Sequence, residues 1–229
     1  MHFIPVYIFI YSLIVCMALY ITENIYHPVY LVQMIQKIVT FFVIPVIVGY
    51  FGKQWIGKFG KIWRTSFIYG VGFWLLSALI ISITYYLLQD VIDWNAIRSS
   101  IDVRWVNEST FLFAFLYIMF GNSLIEEYFF RWVVFRVLFE RSYILAYSMS
   151  ALMFSLYHIT IFGTWFSGYI LFLAIFWLFI GGIFFAWLYR KTGDVWWAWI
   201  FHIFADLAIL VIGYIELFYV KSFHIVFFY

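Results

Sequence analysis

Charge is scarce in this sequence. Only 10% of its 229 residues are Asp, Glu, Lys or Arg, whereas 67% are hydrophobic, and soluble domains usually carry about 25% charged residues. The formal net charge of +2 is too small to favour a nucleic-acid partner. The composition therefore excludes an ordinary soluble domain and indicates an integral membrane protein whose surroundings are a lipid bilayer.

Several residue types and motifs of known hydrolases are also missing. The single cysteine, Cys16, excludes an intrachain disulfide and a cysteine-cluster metal site. The chain has no His-Glu-x-x-His motif of zinc proteases and no Gly-x-Ser-x-Gly serine elbow. Asp194 follows Gly193 in a predicted loop without a second suitable aspartate, which argues against an aspartyl dyad.

Long apolar runs, by contrast, fill the chain. A spanning helix needs about 20 mainly apolar residues, and seven segments meet or nearly meet this requirement. They are residues 3–21, 29–50, 66–88, 110–135, 143–162, 167–189 and 195–218. We predict an all-α, polytopic bundle of about seven transmembrane helices. Three spans fall in residues 1–100, four spans that carry the candidate site fall in residues 101–219, and residues 220–229 form a tail.

Basic residues predict the orientation of the bundle. Loop 51–65 contains Lys53, Lys58, Lys61 and Arg64 and no acidic residue, which is typical of a cytoplasmic loop. Counting spans from this loop places the N-terminus inside and the C-terminus outside. The basic residues that follow the fourth and sixth spans then also fall inside. The expected location is the cell (plasma) membrane.

The fourth span carries ionisable residues in an apolar surrounding: Glu126, Glu127 and Arg131. A charged side chain near the bilayer centre costs at least about 2.5–3.5 kcal/mol, so such residues suggest a functional site. Residues four apart share a helix face, which pairs Glu127 with Arg131 and Glu126 with Asn122. Glu126 keeps no local counter-charge, which suits a general acid/base. A structural ion pair that locks helices together explains Glu127 and Arg131 equally well.

Two later spans add His158, His202 and Asp206. Either histidine alone is more often a hydrogen-bonded core residue than a catalyst. Because hydrocarbon disfavours scattered polar groups, we expect Glu126, His158 and His202 to approach one cavity. By helix rise, Glu126 and His202 fall at similar depths, whereas His158 falls deeper, about 25 Å beyond Arg141.

Three motifs in this order resemble the CPBP family of CAAX-processing and bacteriocin-processing intramembrane proteases, also called the Abi family. They are Glu126-Glu127-x-x-x-Arg131, Phe154-x-x-x-His158 and His202-x-x-x-Asp206. The resemblance covers roughly residues 110–210. Each motif is weak by itself, whereas the ordered set is fairly specific.

The resemblance implies roles for these residues. Glu126 would activate a water molecule, His158 would help to hold that water, and His202 and Asp206 would lie near the oxyanion. The supporting residues would be Glu127, Arg131 and Asn122. The better-studied members have Asn where this chain has Asp206. Since an Asn amide can donate to an oxyanion and an ionised Asp cannot, Asp206 would have to be neutral or would instead orient His202.

We expect peptide hydrolysis of a membrane-associated protein or peptide, without a covalent intermediate and without a cofactor. The alternative within this class is a protease that binds Zn²⁺ through Glu126, His158, His202 and Asp206, whose N and O donors suit that ion. Two other classes stay open: a non-proteolytic binding or immunity protein using the same cavity, and a proton-relaying transporter. Transporters usually have repeated halves, and the intramembrane charges noted above all lie in the C-terminal half, which counts against a transporter.

The predicted orientation can be measured with reporter fusions. A reporter inserted in loop 51–65 should report the cytoplasm. One fused to the C-terminus should report the opposite side, because five predicted spans, an odd number, separate this loop from the C-terminus. Reporters that both mark the same side would contradict this topology.

Overall fold

The fold is an all-helical bundle. The computed structural model describes residues 4–51, 64–166 and 168–219. Within these ranges the chain is almost entirely helical, has no strand, and contains seven helices long and apolar enough to cross a membrane. The predicted fold class is thereby confirmed. Lys53, Lys58, Lys61 and the predicted tail 220–229 lie outside the described residues.

The described helices are labelled α1 to α8, and several of them contain π-helical stretches. They are α1 (Ile4–Ile21, continued by the π-helical Thr22–Tyr26), α2 (Tyr30–Lys37 and Ile44–Phe51 around the π-helical Ile38–Val43), α3 (Arg64–Leu88), α4 (Trp94–Asp102), α5 (Glu108–Leu116, Ser123–Glu127 and Arg136–Phe139 around the π-helical Tyr117–Asn122 and Tyr128–Phe135), α6 (Tyr143–Tyr157, followed by the short helix Ile159–Phe162), α7 (Gly168–Thr192) and α8 (Trp196–Tyr214, continued by the π-helical Ile215–Tyr219). The short helix α4 lies in the connection between the third and fourth spans, and the other labelled helices are the spans.

Local sequence signals set the start of α5. The Asn107 side chain accepts hydrogen bonds from the backbone N–H groups of Ser109 and Thr110, and the Thr110 hydroxyl bonds back to the Asn107 backbone N–H. This reciprocal capping box satisfies N–H groups that have no partner within the helix. It fixes the beginning of the helix that carries both glutamates.

The turn between α7 and α8 is made by Gly193 and Asp194. Gly193 has a φ of +74°, which favours glycine because a Cβ is strained there. The Asp194 carboxylate accepts a hydrogen bond of 3.0 Å from the backbone N–H of Trp196 at the start of α8. Asp194 therefore has a structural contact at the start of α8, which agrees with the sequence argument against an aspartyl dyad.

The centre of the bundle is α5. It contacts α1, α2, α6, α7 and α8, and every residue of its stretch Tyr128–Phe135 is buried. Phe41 of α2 stacks on Phe129 with ring centroids 4.4 Å apart. Aromatic side chains thus pack around the polar residues of α5 and give them a low-dielectric environment.

Glycine lets α7 approach α6 closely. A Cβ atom placed on Gly182 would lie 2.9 Å from the Cα atom of Ala151, closer than real Cβ contacts. Small residues at helix contacts are the usual means by which membrane helices come together. The spacing of α6 and α7, and with it the position of the α6 residues that face α5, depends on this glycine.

We predict that Gly182→Ala destabilises the protein by about 1–3 kcal/mol, the usual cost of overpacking. The matched control is Gly181→Ala, because a Cβ at Gly181 meets nothing within 4 Å and alanine favours a helix interior. Thermal unfolding of the purified proteins in detergent compares the two. A Gly182→Ala variant that unfolds at or above the wild-type temperature would disprove the close-contact argument.

Candidate active site

Two neighbouring glutamates lie at the middle of α5. Their α-helical segment, Ser123–Glu127, is flanked on both sides by π-helical stretches, and π-helical turns are frequent at functional sites. Glu126 is 1% exposed and Glu127 is 0% exposed. Although adjacent, the two carboxylates face different partners, as their spacing from Asn122 and Arg131 predicts.

Glu127 forms the ion pair expected from its spacing to Arg131. The Arg131 Nε atom lies 3.0 Å from Glu127 Oε2, and both side chains are fully buried. The guanidinium also donates to the Ser150 hydroxyl of α6 at 3.3 Å and lies over the Phe154 ring, 4.6 Å from its centroid. The pair therefore connects α5 with α6.

Glu127 also orients His202. The Nδ1–H group of His202 donates to Glu127 Oε1 at 2.9 Å, and the imidazole stacks on Phe185 at 5.1 Å. Asp206 lies instead at the opposite ring nitrogen, with Oδ1 3.6 Å from His202 Nε2. Whether Asp206 also orients His202, from the Nε2 side, stays a prediction. Sequence spacing missed the role of Glu127 because 75 residues separate it from His202.

His158 lies where α6 ends. Its Nδ1–H group donates to the Phe154 carbonyl at 2.7 Å, which fixes the ring and directs Nε2 away from its own helix. That Nε2 atom lies 3.8 Å from Glu126 Oε2. His202 Nε2 lies 3.9 Å from the same oxygen. Both histidines therefore present Nε2 to one carboxylate oxygen, and the expected approach of these three residues is seen.

Glu126 has one satisfied and one unsatisfied oxygen. Oε1 accepts a hydrogen bond of 2.5 Å from the Asn122 amide. Oε2 is buried and has no hydrogen-bond partner within the described parts of the chain. Polar contacts of 3.8–3.9 Å are too long for direct hydrogen bonds but suit a bridging water.

The predicted depth of His158 needs correction. The fourth span was predicted to end at residue 135, whereas α5 continues to Phe139. By helix rise, Glu126 lies about 20 Å before this end, and His158 lies about 22 Å after the start of α6 at Tyr143. Because a short turn joins the two antiparallel helices, these residues reach the same level, and no additional offset is needed.

A second buried polar group lies beside the site and was missed from the sequence. Glu23 follows α1, Lys37 belongs to α2, and the Lys37 ammonium lies 3.8 Å from Glu23 Oε1. The same ammonium lies over the ring of Tyr157, 5.3 Å from its centroid. Buried intramembrane charges therefore lie in the N-terminal half as well, contrary to the prediction, and their distribution no longer counts against a transporter. Lys37 itself was a signal, because it falls inside the predicted span 29–50.

The geometry of the site bears on whether its residues could hold a metal ion. Among residues 4–51, 64–166 and 168–219, no group of three or more His, Cys, Asp or Glu side chains is arranged as a metal site. The four expected donors, Glu126, His158, His202 and Asp206, therefore do not form such a group as they stand.

Comparison with known proteins finds one family model that matches part of the chain, in its C-terminal half. Residues 108–208 match the family model described as Type II CAAX prenyl endopeptidase Rce1-like, which confirms the resemblance to the CPBP family over this segment. No curated protein and no solved structure matches the chain. The matched segment starts at α5, ends within α8 and includes all three motifs. This family implies protease activity, a protein substrate and a membrane setting.

We predict that the two glutamates differ in their effect on stability. Glu127→Gln leaves Arg131 without its carboxylate in a low-dielectric interior, so the free energy of unfolding should fall by about 3–5 kcal/mol. Glu126→Gln is the matched variant and should change it little, because a glutamine oxygen can still accept from Asn122. Thermal unfolding and folded yield measure both. An equal loss in the two variants would contradict the assignment of Glu127 as the structural partner.

Proposed function

We propose that this chain, whose residues 108–208 match the Rce1-like family model, is an intramembrane endopeptidase in which Glu126 activates a water molecule. One observation carries the proposal. Oε2 of Glu126 is buried and has no hydrogen-bond partner among the residues that the structure describes. It lies 3.8 Å and 3.9 Å from the Nε2 atoms of His158 and His202. This geometry accommodates a water that contacts a carboxylate and two imidazoles at once.

The attack on the substrate begins at Glu126. Its carboxylate accepts a proton from the water while the water oxygen adds to the scissile carbonyl carbon, which is general-base catalysis. The Asn122 amide holds Oε1, so Oε2 is the free oxygen that takes the proton. His158 presents an Nε2 lone pair when neutral, since its proton is on Nδ1, and it orients the second hydrogen of the water. Glu126 then returns its proton to the leaving amine.

The oxyanion is stabilised by His202. A charged imidazole donates from both nitrogens, with Nδ1–H bound to Glu127 and Nε2–H available to the developing oxyanion. Glu127 is paired with Arg131 and hydrogen-bonded to His202 at 2.9 Å, so it serves as the fixed counter-charge. A donor fixed before the reaction needs no reorganisation as charge develops, which is the main source of such stabilisation.

The substrate class follows from the family description. Because the matched family is that of CAAX prenyl endopeptidases, we propose that the substrate is a membrane-associated protein with a prenylated cysteine near its C-terminus. The proposed location is the plasma membrane.

Cleavage is tested with purified protein and a fluorogenic peptide that ends in a farnesylated CAAX sequence. The wild type should cleave it, and Glu126→Gln should lose at least about 10²-fold in rate, the usual contribution of a general base. Glu140→Gln is the matched control, because Glu140 lies exposed at the end of the same helix and should leave the rate unchanged.

A proteome comparison extends this test to unknown substrates. Membrane proteins from cells with wild-type protein and with Glu126→Gln are compared for cleaved termini. Cleavage products that depend on Glu126, without cleavage of the farnesylated peptide, would refute the prenylated substrate class alone. Identical proteomes and an inert wild-type protein would refute hydrolysis and favour the binding or immunity protein.

Asp206 separates the metal-free mechanism from the zinc alternative. If Asp206 acts as a neutral donor beside His202, Asn supplies the same donor, so Asp206→Asn should retain activity. Asp206→Ala should then lose about 10²–10³-fold, the scale for one oxyanion donor. Both variants are measured with and without a chelator. Loss of activity in the Asn variant, together with chelator sensitivity of the wild type, would overturn the metal-free mechanism and establish the metal alternative.

A further inference from the structure

Tyr157 is a buried side chain beside the site that the mechanism above does not use. It precedes His158 at the end of α6 and is 0% exposed. Its ring packs on Phe41 of α2 at 5.2 Å and on Phe130 of α5 at 5.9 Å. The position of the ring is therefore fixed from two sides by the core.

The hydroxyl of Tyr157 faces the Glu126 carboxylate. It is buried and has no hydrogen-bond partner of ordinary length within the described residues, and the same is true of Glu126 Oε2. Burial of an unpaired hydroxyl is costly, so such groups need an explanation. Catalytic hydrogen bonds are often long without substrate and shorten in the reacting complex, which explains both unpaired atoms together.

The N-terminal helices hold this tyrosine from its other side. The Lys37 ammonium lies 5.3 Å from the Tyr157 ring centroid, and Glu23 holds that ammonium at 3.8 Å. A cation over an aromatic ring is attracted to it, most strongly where water is excluded. The buried pair of Glu23 and Lys37, which has no part in the mechanism above, thereby fixes the ring whose hydroxyl faces Glu126.

We propose that Tyr157 is a positioning residue of the protease: its hydroxyl donates a hydrogen bond to Glu126 and keeps Oε2 directed at the attacking water. This inference rests on the proposed function and deepens it. It also makes the N-terminal helices part of the active site, because Lys37 and Glu23 position Tyr157. Asn122 and Tyr157 then act as a pair of donors to the same carboxylate.

The kinetic test removes only the hydroxyl. On the farnesylated fluorogenic peptide, Tyr157→Phe should lower kcat by about 10- to 100-fold, the range for one hydrogen bond to a charged group, with KM within about twofold of wild type. The unfolding temperature should stay equal or rise, because the buried hydroxyl has no hydrogen bond of ordinary length without substrate. Tyr147→Phe, on the same helix and packed against Phe135, is the matched control and should change neither constant.

Three kinetic results would overturn the proposal. They are a kcat within about twofold of wild type, a higher KM at unchanged kcat, and a kcat loss that vanishes when rates are normalised to folded protein. The double variant Glu23→Gln/Lys37→Met removes the supporting pair without leaving either charge alone. By itself the double variant should lower kcat less than Tyr157→Phe does. Combined with Tyr157→Phe, it should cause no further loss of kcat, whereas additive losses would exclude a path through Tyr157.

Infrared difference spectroscopy tests the contact with a non-cleavable farnesylated peptide bound, the state in which catalytic hydrogen bonds shorten. The carboxylate band of Glu126 should shift between wild type and Tyr157→Phe, and the same tyrosine change should give no shift in a Glu126→Gln background. An unshifted band would overturn the inference even for an active protease. If the wild type cleaves neither the peptide nor any membrane protein, the proposed function fails instead, while the infrared result still decides whether Tyr157 bonds to Glu126.

Discussion

The site depends on one carboxylate with two partners. Glu127 contacts Arg131 of its own helix and His202 of α8, and Arg131 in turn contacts Ser150 of α6. Because water is excluded, each of these groups relies on the others for its charge or hydrogen bond. The same contacts bring three helices into register. Glu127 therefore sets both the structure of the site and the direction of the imidazole that faces Glu126.

The adjacent glutamate is useful because it lacks such a partner. One oxygen of Glu126 accepts from a neutral amide, and the other has no hydrogen bond within the described part of the chain. Two carboxylates next to each other in sequence are thus placed in opposite electrostatic surroundings. That difference arises from helix geometry, since Arg131 lies four positions after Glu127 and shares its helix face, but lies five positions after Glu126.

Much of this was visible in the sequence, for identifiable reasons. Seven apolar runs gave the spans, and the four-residue spacing of Glu127 and Arg131 gave the ion pair. The contact between Glu127 and His202 was not visible, because it joins helices whose relative rotation no local pattern encodes. Tyr157 was hidden for another reason: with 19 tyrosines in the chain, a single hydroxyl gives no signal until its surroundings are known. The division into residues 1–100 and 101–219 stays a prediction, although Asn24 reaches the Thr160 carbonyl across it.

The ion pair within α5 also bears on how the chain enters the membrane. A lone α5 would carry two glutamates and an arginine into lipid, each at a cost of about 2.5–3.5 kcal/mol when unpaired. Because Glu127 and Arg131 belong to the same helix, they neutralise each other before any other span arrives. Glu126 is then the one charge of the three to be accommodated, and it has the Asn122 amide from the same helix. The spacing that divides the roles of the glutamates therefore also makes α5 insertable ahead of α6 and α8, whose histidines complete the site afterwards.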